Sequence, residues 1–502
     1  MLTYQNFRFW AIACGCQLLY SMLSLEQLYK LAIAYLLKSM TTPSNILANN
    51  LKDAYRVCNV IPLQDKDLER YYVDLSQSRK TNAINKISII LQDQAAGDFS
   101  TILFTGHRGC GKSTELRQIQ EQWEDDYQVI YVDALLETDI NDAKYTDIYL
   151  IVIKWVEFEL RKHGLKFDNE LLSSFEEWFK EITEETVDSV DKSISVKGEL
   201  TLSAENSLTG ILPIAPPPFL AKLLVMLLGQ VKDSKQRKKT IRDTLSKDFS
   251  RLKTDVNLLL DDGLKKWRKK FPKSKGFLMV FDNLDRCPVD TANHLFFDYA
   301  AQLSELHCTI VYTVPISVVY SPKNVNNAFA NYHIIPMINI YDYDPQNPSQ
   351  KEPEFSLKGL NAVISLIEKR IDVDAIFESR QGLLELAKYS GGHVRQMMQL
   401  VRVAIENARA RRLTKVADED ITYAINYEQF NFERVIPDEH YPVLVKVYLE
   451  KNAPRDEIGQ LMLSNISVLE YNGLHRWNYL NPVVIRSRLF KRALEDYRAK
   501  NP

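Results

Sequence analysis

The chain has 502 residues, 45% of them hydrophobic and 25% charged, with a formal net charge of −2. That composition excludes a disordered, collagen-like or disulfide-scaffold protein, is enough chain for roughly two to four globular domains, and shows no global charge excess pointing to nucleic acid or a membrane surface. Six cysteines form no paired C-x-x-C set and no H-E-x-x-H occurs, which excludes zinc-ribbon and metalloprotease readings and suits a reducing, cytoplasmic setting.

Residues 1–39 open with an apolar run, 9–23, behind a single basic residue, Arg8. Three readings stand: a peripheral helix, a leader foreign to the native protein with Met40 as the natural start, or a membrane anchor. The run is short and interrupted, so a membrane partner is not expected. Residues 45–72 read as helix, turn, helix, and 82–92 as a further helix. Tyr71 and Tyr72 either pack in the core or border a nucleotide base.

An apolar strand then ends at Thr105, and Gly106-His107-Arg108-Gly109-Cys110-Gly111-Lys112-Ser113 fits G-x-x-x-x-G-K-[ST], followed by Thr114 and a helical pattern. The glycines allow a tight turn whose N–H groups approach phosphate oxygens, and the helix N-terminus behind them favours an anion. All nine residues from Gly106 to Thr114 are candidate nucleotide contacts. Lys112 supplies a point charge to the β- and γ-phosphates, and the Ser113 hydroxyl is the expected Mg²⁺ ligand. The cofactors called for are ATP and Mg²⁺.

Residues 127–132 read as a second strand with Asp133 at its end, and 147–160 as an apolar helix. This strand–helix rhythm predicts an α/β fold with a parallel sheet. Residues 168–275 interrupt it. Within them, 176–191 is acidic and helical, 193–204 alternates as a half-buried strand or hairpin, and 210–229 is proline-broken before a short apolar helix. The readings are a small β element with an amphipathic helix, or a lipid-touching hairpin. Basic runs at 235–239 and 265–275 read as solvated helix faces, or alternatively as surfaces for phosphate backbones or acidic partners.

Gly276-Phe-Leu-Met-Val-Phe-Asp-Asn-Leu-Asp-Arg-Cys-Pro288 is the second strong signal. A buried strand ending in Asp282 places a carboxylate to hold Mg²⁺, and Asp285, three residues later, to polarise an attacking water. The order of phosphate loop, long spacer and Val-Phe-Asp-Asn-Leu-Asp-Arg-Cys resembles the KAP and STAND branches of the AAA-type P-loop ATPases. Asp282 and Asp285 match their acidic motif, and Arg286 and Cys287 match the KAP version. Asn283 stands where many AAA proteins carry a second acid, so the resemblance implies that Asp285 substitutes as base or that turnover is slow. It covers about residues 70–420, with 168–275 as a departure. KAP proteins often carry membrane segments there; this insertion does not read as such.

Residues 307–314 form the next strand, and the resemblance makes Thr313 at its tip a candidate sensor of the γ-phosphate; a plain β-propensity threonine is the alternative. Residues 334–340 look like a last strand. From 356 the chain is helical, at 357–372, 381–389, 394–411 and 418–427, which suits the helical lid of AAA proteins. Gly391 and Gly392 end one helix, and Arg395 lies in the first turn of the next, where the resemblance implies an arginine reaching back to nucleotide. Arg370 and Arg286 are weaker candidates, including for a finger offered to a neighbouring subunit. The last 70 residues read as helices, a hairpin around Asn472-Gly473 and a basic end with Arg486, Arg488, Lys491 and Arg492, resembling a winged helix. Such a unit binds DNA or packs internally. The expected architecture is therefore a leader of uncertain status (1–39), a P-loop NTPase core (40–340), a helical lid (341–428) and a winged-helix-like domain (429–502). The functions considered are an ATPase switch in signalling or genome conflict, a DNA-associated loader, and a nucleotide-binding scaffold. A protein partner or self-oligomer is expected.

Overall fold

The computed structural model describes residues 47–95, 97–190, 234–347, 350 and 352–501, with the backbone alone at 180, 182–190 and 234–240. The chain divides into Met1–Ala48 and Asn49–Pro502, and the fold described is that of the second unit. The readings of 1–39, 193–204 and 210–229, and the side chains of 235–239, lie outside the described residues.

Two short helices, α1 (Leu51–Val57) and α2 (Asp65–Tyr71), and then α3 (Ala83–Asp93) precede the first strand, β1 (Thr101–Gly106). Helix α4 (Lys112–Trp123) starts within the phosphate loop. β2 (Tyr127–Asp133), β3 (Gly276–Asp282), β4 (Thr309–Val314) and β5 (Asn331–Ile335) complete a five-stranded sheet ordered β2-β3-β4-β1-β5. Every pairing is parallel. All seven residues of β3 and all six of β4 are buried, as continuous apolar runs require when helices cover both faces.

The crossover from β2 to β3 contains the long interruption. Helix α5 (Tyr145–Lys162) is followed by α6 (Asn169–Val190), α7 (Ser234–Lys247) and α8 (Phe249–Lys270). α8 packs its Leu252, Val256, Leu259, Leu260 and Trp267 into the same core as Ile148, Val152 and Val156 of α5 and Phe277 and Met279 of β3. It therefore belongs to the core, and the interruption ends before 249 rather than at 275. Its basic run behaves as a solvated face: Lys265, Lys269 and Lys270 are exposed while Trp267 is buried.

The last strand of the sheet, β5, starts at Asn331 rather than 334; it ends at Ile335 rather than 340, because Pro336 lacks the N–H that a ladder needs. The next three N–H groups each go elsewhere. Met337 donates to Glu470 O at 3.0 Å, Ile338 to Gly392 O at 3.3 Å and Asn339 to Ser78 O at 2.9 Å. A two-residue ladder, β6 (Tyr341–Asp342) with β7 (Glu354–Phe355), leads to the lid: α9 (Leu357–Glu368), α10 (Arg380–Tyr389), α11 (Val394–Ala410) and α12 (Asp418–Val435). The boundary predicted at 428 falls inside α12, whose Phe432 and the following Ile436 enter the C-terminal core.

That core gathers α13 (Tyr441–Glu450), α14 (Glu457–Ser464), the hairpin β8 (Val468–Asn472) and β9 (Arg476–Leu480), α15 (Pro482–Arg486) and Phe490 of α16 (Arg488–Lys500). Ile316 and Tyr320, just past β4, join it, so the winged-helix-like unit is continuous with the carboxyl end of the sheet's central strand. Asn481 caps α15 through Val483 N–H, and Ser487 caps α16 through Phe490 N–H. The fold is α/β, a parallel P-loop NTPase sheet with a helical lid and a winged-helix-like C-terminus. No helix among the described residues is long and apolar enough to cross a membrane.

Candidate nucleotide site

The loop between β1 and α4 opens on a cleft lined by Arg108, Gly109, Gly111, Lys112, Ser113 and Thr114. Asn283, Asp285 and Arg286 come from the turn after β3, Val394, Arg395 and Met398 from α11, 59–63 from the loop between α1 and α2, and 71–73 from the end of α2. The sheet order brings this about, since β4 alone separates β1 from β3 and their tips end side by side.

Lys112 is buried, with its ammonium 2.8 Å from Asp285 Oδ2. It also donates to the carbonyls of Gly106 at 2.8 Å and His107 at 3.0 Å. Burial pulls its pKa down, but Asp285, Cys110 and Asp282 together outweigh that and hold the ammonium above its ordinary range. The carboxylates and the phosphate-loop lysine thus share one site.

Asp282 sits at the β3 tip opposite Asp133 of β2. Tyr131 donates its hydroxyl to Asp282 Oδ2 at 2.7 Å, and Asn283 N–H donates to Oδ1 at 2.8 Å. Arg117 stacks on Tyr131, 3.3 Å from the ring centre. Asn283 adopts φ 67°, a left-handed conformation that asparagine tolerates better than other residues with a side chain. Its amide donates to Asp133 Oδ1 at 2.8 Å. An aspartate here would face a like charge, which gives a local reason for the amide. Ser113 and Asp282 are hard oxygen donors that fit Mg²⁺, which takes one or two protein ligands and completes its shell with phosphate and water. No larger His, Cys, Asp and Glu cluster occurs among the described residues.

Arg395 faces the cleft from the first turn of α11. Burial, then the nearby charges of Arg286 and Arg108, push its guanidinium below its usual range. Three guanidiniums and Lys112 around one acid form a field that an anion relieves. Arg286 belongs to this cleft, where it perturbs Arg395.

Three predicted contacts sit differently. His107 turns its buried ring away from the cleft: Glu470 N–H donates to Nε2 at 2.9 Å, which fixes the tautomer, and Nδ1–H donates to Leu463 O at 3.1 Å. The ring therefore ties the loop to the winged-helix-like unit, and burial holds its pKa down at about 3. Cys110 buries its thiol beneath the loop, where a Cβ at Gly106 would lie 3.1 Å from Sγ. Thr313 is buried; its hydroxyl accepts from Leu284 N–H at 3.1 Å and donates to Phe281 O at 3.1 Å. It braces the acidic turn from below instead of touching phosphate.

The lid grips the same loop. His393 caps α11 by accepting Gln396 N–H at Nδ1 and donates Nε2–H to Arg108 O at 2.8 Å. Burial lowers its pKa to about 4. Arg395 N–H donates to Gly109 O at 3.1 Å. Gly109 has φ 90°, and a Cβ there would lie 2.9 Å from the His393 ring. Consecutive loop residues thus hold different units: His107 the C-terminal unit, Arg108 and Gly109 the lid.

Arg79 is a site residue the sequence pattern missed. It is buried, pairs with Glu115 Oε1 at 3.2 Å and donates to Cys110 O. Tyr72 donates to Glu115 Oε2 at 2.9 Å, which gives Tyr72 a bracing role behind the loop. An arginine in a four-residue helix 33 positions before Lys112 carries no motif; only the fold reveals it.

The sequence matches no known family profile and no curated protein. Among solved structures the chain is similar to Cdc6p from Pyrobaculum aerophilum, with 9% identity and TM-score 0.34 over 87% of this chain and 100% of that one. It is also similar to the Aeropyrum pernix ORC1 protein solved in complex with DNA, with 12% identity and TM-score 0.36 over 88% and 96% of the two chains. A Walker-type ATPase of Pyrococcus abyssi gives 12% identity and TM-score 0.37 over 87% and 99%. The fold assignment itself rests on this chain's strand order, phosphate loop, lid and C-terminal unit, which together give a P-loop NTPase sheet with a helical lid and a winged-helix-like C-terminus.

Proposed function

We propose that the protein is an ATP- and Mg²⁺-dependent switch that hydrolyses ATP and passes the state of its phosphate loop to the lid and the C-terminal unit. The observation that carries this is the Lys112–Asp285 ion pair at 2.8 Å inside a cationic cleft. A triphosphate competes with Asp285 for the same ammonium. Once Lys112 is drawn to phosphate oxygens, Asp285 is free to accept a proton from an attacking water, with Ser113 and Asp282 as the ligands for Mg²⁺. Arg395 follows the γ-phosphate, and its own N–H on Gly109 O carries any shift into α11. His107 offers the matching route to the C-terminal unit. Signalling or genome conflict, the setting the KAP and STAND resemblance implies, is the context proposed.

A DNA-associated loader is the second reading. Arg488, Lys491 and Arg492 are exposed in the first turn of α16. Arg486 leaves that set, because it bonds Asn426 and Gln429 of α12. The test is ATP turnover with and without duplex DNA, for wild type, Lys112→Ala and Asp285→Asn. A switch needs turnover in wild type, lost in both variants, with ATP binding lost only for Lys112→Ala. Equal rates in wild type and Asp285→Asn sink hydrolysis, and DNA stimulation with steep salt dependence selects the loader.

A further inference from the structure

One buried cation of the cleft has no ion-pair partner among the described residues. Arg370 lies just past the end of α9, is 5% exposed, and lines the cleft beside Tyr71, Leu366 and Met398. One Nη donates to Leu366 O at 2.5 Å, and the guanidinium carbon stands 5.1 Å from the Tyr71 ring centre. No carboxylate among the described residues forms an ion pair with it. Its near neighbours are the Cys58 thiol and the Tyr71 hydroxyl, both held neutral by burial, and the one carboxylate that favours its charge, Asp67, acts weakly. Its burial excludes a role as a finger offered to a neighbouring subunit.

A guanidinium carries five N–H donors and stays charged. Burying one without an acid is costly unless acceptors meet its remaining donors. Arg370 also stands outside the phosphate-facing group: Arg108, Arg286 and Asp285 perturb Arg395, whereas none of them perturbs Arg370. The same cleft is walled by Val60, Ile61, Pro62 and Leu63, which follow closely on Cys58, a near neighbour of Arg370. Leu63 N–H donates to the Thr114 hydroxyl at 3.3 Å, so this apolar wall continues directly from the end of the phosphate loop. A flat apolar ring with nitrogen acceptors fits such a space, between an aliphatic wall and a planar cation.

We infer that Arg370 is the specificity residue for the nucleoside end of the bound nucleotide, donating to acceptor atoms of a purine base lodged against residues 60–63. This rests on the nucleotide reading of the phosphate loop. Arg370→Met keeps the apolar stem and removes the donors. Calorimetric titration with Mg-ATP, Mg-CTP and inorganic tripolyphosphate separates the two ends of the ligand. The expected result is at least about tenfold weaker ATP binding, as for loss of a hydrogen bond from a charged donor, with tripolyphosphate affinity unchanged and the wild-type preference for ATP over CTP erased. Unchanged tripolyphosphate binding also shows that the variant is folded. Parallel weakening of ATP and tripolyphosphate, or an ATP preference that survives the substitution, overturns the inference. Wild type that binds neither ATP nor tripolyphosphate removes the phosphate-loop reading itself, before any variant is made.

Discussion

Replacing His107 with leucine tests whether the phosphate loop is physically tied to the C-terminal unit. The substitution keeps most of the ring's apolar volume and removes both of its hydrogen bonds, leaving Glu470 N–H buried and unpaired, while Leu463 C=O keeps its bond from Ile466 N–H. A buried donor without a partner costs about 1–3 kcal/mol, so urea unfolding at pH 7 should show a loss of that order. The pH dependence gives an independent reading. Burial holds His107 at about 3 in the folded protein, against about 6.5 in an unfolded chain. Between those values the unfolded state binds a proton that the folded state does not, so stability rises with pH. The contribution is complete above about pH 6.5 and is lost as the pH falls toward the folded value. One histidine gives a slope of about 1.4 kcal/mol per pH unit in that window. His393, held at about 4, adds a second slope that ends sooner. Wild type should therefore take up about one proton more on unfolding near pH 5 than the leucine variant. A variant within about 0.5 kcal/mol of wild type, with the same proton uptake, would refute the tie.

Three further outcomes follow from the site. Asn283→Val forces a β-branched residue into φ 67° and should cost about 1–2 kcal/mol, measurable by thermal unfolding, whereas Asn283→Gly should be tolerated; equal stability of the two variants contradicts the strained-turn account. Tyr131→Phe removes the hydroxyl that orients Asp282 and should raise the Mg²⁺ needed for half-maximal turnover by about tenfold or more, with ATP affinity in the absence of metal as the unchanged control. Gly392→Ala places a Cβ 2.0 Å from Ile338 O at φ 74°; it should destabilise the lid by more than about 1 kcal/mol, seen as faster proteolysis at the α10–α11 turn, and protection equal to wild type would show that the lid is not seated there.

The nucleotide end of the molecule was legible because its chemistry is local. Gly106 to Ser113 and Asp282 to Asp285 each lie within one short stretch, and apolar runs before them mark the strands. The lid helices were legible from Gly391 and Gly392 and from the caps. What escaped depends on partners far away in the chain. His107 occupies a variable position of its motif, and its partners lie 356 and 363 residues later. Arg79 belongs to no motif, and the partners of the Thr313 hydroxyl, Leu284 N–H and Phe281 O, lie on a turn and a strand 29 and 32 residues earlier. Helix α12 ran past its predicted end because Tyr423, Tyr427 and Phe430 are exposed. Their apolar character on the solvent side blurred the periodicity that marks where a helix stops.

The stretch from Met337 to Asn339 has a practical consequence for anyone dissecting this chain. Its three successive amides answer to the hairpin, the glycine pair between α10 and α11, and the four-residue helix before α3. Cutting the polypeptide at this junction to express sheet and helices separately strips each fragment of main-chain partners that the other supplies. Inserting one residue slips all three pairings at once. The apparent interdomain linker is the keystone of the assembly, and fragments made by severing it should be recovered only when the halves are produced together.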